Sequence, residues 1–200
     1  LENITIFEAL TCAYFKYCEK FKENITIIEA GLFHQFDATN VFKNNLCSII
    51  TSINIDHLQW LKNKSIEGII HEKTNKLPLS RIIISKQENR DILLKIKQSV
   101  QNNKSEKYFY GEDFNYLNAE NNFIQYEDKE GSLLLPQPNI LGEHQLGNIS
   151  TSIMTARNLF NIKDEDIKNA IVNIKIKGRL QEIKSGELKK IARNNRLILD

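Results

Sequence analysis

The stretch "LCSIITSINIDHLQWL", residues 46–61, decides the fold. Leu46 to Ile53 is a short apolar run that reads as a buried strand, and it breaks off into Asn54, Asp56 and His57. A strand apolar on both faces fits a parallel sheet covered by helices on either side. Its polar end has two readings. It is a loop with no task, or it is a site, because open α/β sheets bind ligands just beyond the carboxyl ends of their strands.

The pattern around this stretch extends the same reading. Phe7, Leu10, Tyr14, Cys18 and Phe21 recur at three- and four-residue steps, which predicts a helix over residues 5–22. "NITIIEAG" predicts a strand ending near Glu29. Residues 64–73 form a helical pattern with Ser65 or Asn63 as cap. "RIIISK" (81–86) is a short buried strand, residues 88–101 are helical, and "KYFY" is a further strand. "NNFIQYEDKEGSLLLP" reads as a hairpin turning through Lys129–Gly131. Beyond Pro136 and Pro138 the pattern gives helices over 144–160 and 163–173, then strands at "GRLQEI" and "NRLILD". Strand and helix alternate through the first two-thirds, so the expected class is α/β with a mostly parallel sheet flanked by helices.

Composition narrows the function classes. A net charge of +2 gives no basic field of the kind that nucleic acid binding needs. No apolar run approaches the roughly 20 residues of a membrane helix. No secretory leader is legible, and Cys12, Cys18 and Cys47 are odd in number without CxxC spacing. These features predict a cytoplasmic protein with free thiols. The chain starts at Leu1 without a methionine and stops within "RLILD", so it reads as cut from something longer at both ends.

Candidate chemistry is sparse. Glu29 and His57 stand at the carboxyl ends of two expected strands, where a parallel sheet brings side chains to one edge. Lys73, near the end of the helix after His57, is placed to reach that edge. The other reading makes each of them a solvated loop or helix-end residue. "GEHQLGNI" (142–149) spaces two glycines like a P-loop but lacks the Lys-Ser/Thr that holds phosphate and magnesium. No GxGxxG, nucleophile elbow or zinc pattern occurs.

Several motifs together carry a resemblance. "IIEAGLFHQFDATNV", "SIITSINIDHLQWL", "HEKTN", "YGEDF", "LGEHQLGN" and "KGRLQ" occur in the order and at about the spacing of the folylpolyglutamate synthase and dihydrofolate synthase family, within the Mur ligase superfamily. The resemblance implies an ATP-dependent ligase. ATP phosphorylates a pteroate or folate carboxylate, and the amine of glutamate displaces the phosphate to form an amide. It implies small-molecule partners (ATP, glutamate, a pteroate or folate), with neither nucleic acid nor membrane.

The same resemblance implies roles for single residues. Glu29 matches a magnesium-binding glutamate and His57 a histidine on a second divalent ion, where manganese is also acceptable. Lys73 in "HEKT" matches a lysine that is carbamylated in many relatives and then serves as an anionic oxygen ligand. Asn148 matches the residue that reads the adenine edge. Arg179 matches an arginine on the ATP phosphates, and Asp200 an acid near the ribose. His144 and Gln145 are expected to be structural, and Asp37, Thr39 and Asn40 to brace the loop after Glu29.

Departures accompany the match. Phe33, His34, Gln35 and Phe36 stand where the family usually has two glycines and an arginine after "GL". The glycine-rich P-loop and nearly all of the C-terminal domain are expected to lie outside these residues. The expected organisation is a partial Mur-ligase-type central domain over 1–194 and the first strand of a further domain over 195–200. Two other readings stay open: an inactive product of a split or decaying gene, and a segment of a cell-wall-type Mur ligase.

Overall fold

The computed structural model describes residues 4–118 and 123–200. Its elements run α1 (Ile6–Cys18), β1 (Ser48–Ile50), a 3-10 turn (Leu58–Trp60), α2 (Ile66–Thr74), β2 (Arg81–Ile84), α3 (Arg90–Val100) and β3 (Glu106–Phe109). There follow β4 (Phe114–Asn118), β5 (Phe123–Asp128), β6 (Gly131–Pro136), α4 (Glu143–Leu159), α5 (Asp164–Asn173), β7 (Gln181–Glu182), α6 (Glu187–Ala192) and β8 (Ile198–Leu199). A parallel sheet has the strand order β1-β2-β3, and the expected α/β class holds. The chain divides into two compact units, one of residues up to 82 with 87–106, the other of 83–86 with 107–200.

In the first unit the core is aliphatic: Ile50, Ile53, Ile69, Ile70, Ile96 and Val100 are buried. Helix α2 starts at Ser65, whose hydroxyl accepts the Gly68 N–H at 3.2 Å, one of the two caps foreseen. Strand β1 is shorter than the apolar run predicts. Beyond Ile50 the backbone is satisfied by a side chain: Gln87 donates to the Thr51 carbonyl and accepts the Ile53 N–H at 3.0 Å. The amide of Gln87 thus takes the place of a neighbouring strand, and Ile53 still reaches the core at 2% exposure.

Two further expectations need correction. Residues 25–30 form no strand; Ile25, Ile27 and Ile28 are exposed, Ile27 at 90%. A strand exists only with a partner for its N–H and C=O groups, and among the described residues none pairs here. Glu29 is therefore not at a strand end. Helix α1 does form, held by a capping box between Thr5 and Glu8, but its apolar stripe is not buried. Phe7, Leu10, Tyr14 and Phe21 are exposed, and Thr11 is its one buried residue.

In the second unit β4, β5 and β6 form an antiparallel sheet, with Tyr116 opposite Tyr126 and Tyr126 opposite Leu133. The predicted hairpin is β5–β6, turning at Gly131 with φ +120°; its Asn121 and Asn122 lie outside the described residues. Strand β4 was not foreseen, although Phe114 and Tyr116 alternate inward with period two. Helix α4 presents Leu146, Ile149, Ile153 and Met154 as one buried stripe. Its buried Ser150 and Thr151 hydroxyls donate to the carbonyls four residues back. Strands β7 and β8 pair antiparallel, Gln181 with Leu199 and Glu182 with Ile198. Helix α6 was also unforeseen. Among the described residues no helix is long and apolar enough to cross a membrane.

Candidate functional site

In the first unit the loop after Glu29 is organised by one carboxylate. Asp37 Oδ2 accepts the N–H groups of Gly31 at 2.9 Å and Leu32 at 3.4 Å. Its Oδ1 accepts the Thr39 N–H at 2.9 Å and the Thr39 hydroxyl at 2.6 Å. Asn40 Nδ2 donates to the Gln35 carbonyl at 3.4 Å. Asp37, Thr39 and Asn40 therefore brace this loop as the sequence predicts, and the loop is anchored to α2 as well. His34 and Gln35 both donate their backbone N–H to the Glu72 carbonyl.

Lys73 belongs to the same anchor. Its ammonium donates to the Leu32 carbonyl at 3.3 Å and lies 5.8 Å from the centre of the Phe33 ring. Burial pulls its pKa below the ordinary lysine value, and the Asp56 carboxylate opposes that shift. Asp56 in turn lies 3.2 Å from His57 Nε2 and accepts the His57 N–H at 2.7 Å. His57 adopts a left-handed backbone, φ 54°, at the start of the 3-10 turn. Asp56 is thus the acid paired with His57. In the sequence Asp56 stands in the polar break after the strand, and the adjacent Asp-His pair is the signal that marks it.

A divalent cation at His57 would find one imidazole nitrogen as a donor. A carboxylate on one ring nitrogen fixes the imidazole and frees the other nitrogen to ligate, the arrangement common to metal-binding histidines. Lys73 as an ammonium is a donor and binds no metal; only a carbamate would reverse its sign. Glu29 is exposed. Among the described residues no three His, Cys, Asp or Glu side chains stand close enough together to hold a metal. A cleft of about 940 Å³ opens beside the braced loop, lined by Leu32, Phe36, Trp60, His71 and Lys95 among others. Lys95 is paired with Glu67 at 2.5 Å, and that hydrogen bond draws the Glu67 carboxyl down to about 2.

The second unit holds the remaining expected residues. Asn148 is exposed on α4, and its Nδ2 donates to Gln145 Oε1 at 3.2 Å. Gln145 is buried, which agrees with a structural role. Arg179 is exposed in the turn before β7. The next residue, Leu180, has φ 48° and donates its N–H to Asp200 Oδ1 at 3.2 Å. The β7–β8 pairing thereby brings Asp200 to the Arg179 turn although 21 positions separate them in sequence.

Comparison with known proteins bears on this arrangement. No family model matches the chain. The chain is 28% identical over 198 residues to the dihydrofolate synthase/folylpolyglutamate synthase of Haemophilus influenzae, covering 96% of this chain and 42% of that protein. Its fold matches a folylpolyglutamate synthase complex with AMPPCP and folate at a TM-score of 0.83, with 21% identity, over 99% of this chain and 48% of that one. It also matches Escherichia coli FolC in complex with DHPP and ADP at 0.81, with 24% identity, over 98% and 44%. The fold is that of these synthases. The matches support a segment of the folylpolyglutamate/dihydrofolate synthase family, as the motifs imply, and the chain spans less than half the length of these relatives.

Proposed function

We propose that this chain is the nucleotide- and metal-holding segment of an ATP-dependent ligase that joins glutamate to a pteroate or folate carboxylate. The observation that carries the reading is the pairing of His57 with Asp56 together with the anchoring of Lys73 to the Asp37-braced loop through the Leu32 carbonyl. It is supported by the sequence match to a dihydrofolate/folylpolyglutamate synthase.

Transfer of a phosphoryl group needs positioning and charge neutralisation more than covalent help. His57, beside Asp56, and Glu29 would supply nitrogen and oxygen donors for magnesium or manganese. A carbamate formed at Lys73 would add an anionic oxygen ligand. A divalent ion bound there would neutralise phosphate charge. Asn148 keeps its side-chain oxygen available for the amino edge of adenine while its Nδ2 is held by Gln145. The Arg179 guanidinium offers a planar fork to phosphate oxygens. The Asp200 carboxylate has a second oxygen beyond the one held by Leu180 for a ribose hydroxyl.

Titration of ADP with magnesium into the purified chain tests the reading. Binding is expected, weakened in Asn148→Ala and Arg179→Ala. Manganese binding followed by electron paramagnetic resonance is expected to fall in His57→Ala and Glu29→Ala. A folded chain that takes up neither nucleotide nor manganese contradicts it.

A further inference from the structure

The structure assigns to Lys86 a task not given by any motif: we propose that it is a positioning residue that sets the rotation of α4 and thereby aims Asn148. The proposal rests on the reading of Asn148 as the adenine contact. Lys86 follows the carboxyl end of β2 and touches α4 at two points one turn apart. The first is Gly147, where an added Cβ would lie 3.3 Å from Lys86 Cβ and 3.6 Å from its Cδ. The lysine stem lies close against the helix because residue 147 has no side chain. The second is Glu143, the first residue of α4, whose Oε1 lies 3.4 Å from the Lys86 ammonium.

The ammonium has a fixed post as well. It donates to the Tyr116 hydroxyl at 3.1 Å and sits 5.2 Å over the Tyr116 ring. Tyr116 is buried in β4, and its hydroxyl also lies 3.4 Å from Glu143 Oε1. Gly142, at the N-cap of α4, offers no side-chain cap, so this triangle adds to the Gln145 N–H bond on the Gly142 carbonyl in holding the first turn. Asn148 follows Gly147 directly, and its amide is tied to Gln145 on the same turn. A rotation of α4 therefore carries Asn148 with it, and the two contacts of Lys86 oppose that rotation. The ammonium bonds to Tyr116 and Glu143 are made by charge, which Met cannot supply and Arg can.

Three variants of the full chain decide it: Lys86→Met, Lys86→Arg and Asn148→Ala. The readouts are ATP-against-GTP binding preference and backbone amide exchange over residues 145–149. Lys86→Met is expected to lower the preference roughly tenfold, the worth of one well-placed hydrogen bond, and to speed exchange. Lys86→Arg is expected to restore both. If Asn148→Ala abolishes the preference while Lys86→Met leaves it intact, the proposal is overturned. If Asn148→Ala changes nothing, or no nucleotide binds, the adenine reading of Asn148 falls. The exchange data then decide Lys86: faster exchange rescued by arginine supports the positioning of α4, and unchanged exchange refutes it.

Discussion

Arg157, with 8% of its side chain exposed, pairs with an Asp128 side chain that is 2% exposed, at 3.0 Å. The same guanidinium reaches Asp164 at 2.6 Å, and the Tyr126 hydroxyl donates to Asp128 at 2.9 Å. Removing one partner of a buried pair leaves an uncompensated charge and costs about 3–5 kcal/mol. Arg157→Met is therefore expected to lower the melting temperature of the chain by many degrees; a shift under two or three degrees would refute this role. His34 makes a second, pH-dependent prediction. Its pKa is lowered, first by burial, and its Nε2 is buried without a hydrogen-bond partner. The unfolded chain then binds more protons, so stability rises with pH between the lowered pKa and the ordinary value of about 6.5. Thermal melts are expected to be flat in this contribution above that value and to decline as pH falls below it. The decline is expected to vanish in His34→Phe; an equal decline in the variant would place its origin elsewhere.

Local hydrogen bonding explains which elements were legible. Helices α2, α3, α4 and α5 carry periodic apolar positions and start where caps or acidic first turns predict, so the sequence shows them. Residues 25–30 look like a strand because composition reports β-propensity, whereas a strand is made by its neighbour. β4 was missed because its inward Phe114 and Tyr116 sit close behind a turn through Gly111, so the apolar run is short. At the site, the Asp37 brace was legible because Asp, Thr and Asn satisfy a turn locally. The Lys86 contacts were not, because they join residues 30 and 57 positions apart in sequence. Helix α1 supplies the prediction at this scale. Thr5→Ala removes a capping box, worth about 1 kcal/mol, from a helix that buries only Thr11. Amide exchange over residues 6–18 is expected to speed up while the global melt stays in place. A large fall in melting temperature would show that α1 is integral to the core.

Taken as a whole, the 200 residues contain no GxxxxGK[ST] motif, so they offer no glycine-rich backbone cradle of that type for phosphates. Charge stabilisation of this kind is commonly worth a hundredfold or more per donor. By itself the chain is expected to show no glutamate-dependent release of phosphate from ATP, and release abolished by His57→Ala would overturn that expectation. The most direct measurement places this chain inside a relative of which it spans 42%. A chimera is made from the Haemophilus influenzae synthase with its matched segment replaced by the aligned part of this chain, 96% of it. It is assayed for phosphate release with ATP, glutamate and dihydropteroate or folate. Release is expected to require both acceptor and glutamate and to be lost in His57→Ala. A chimera that melts cooperatively yet releases no phosphate, or that works equally well after His57→Ala, would contradict it.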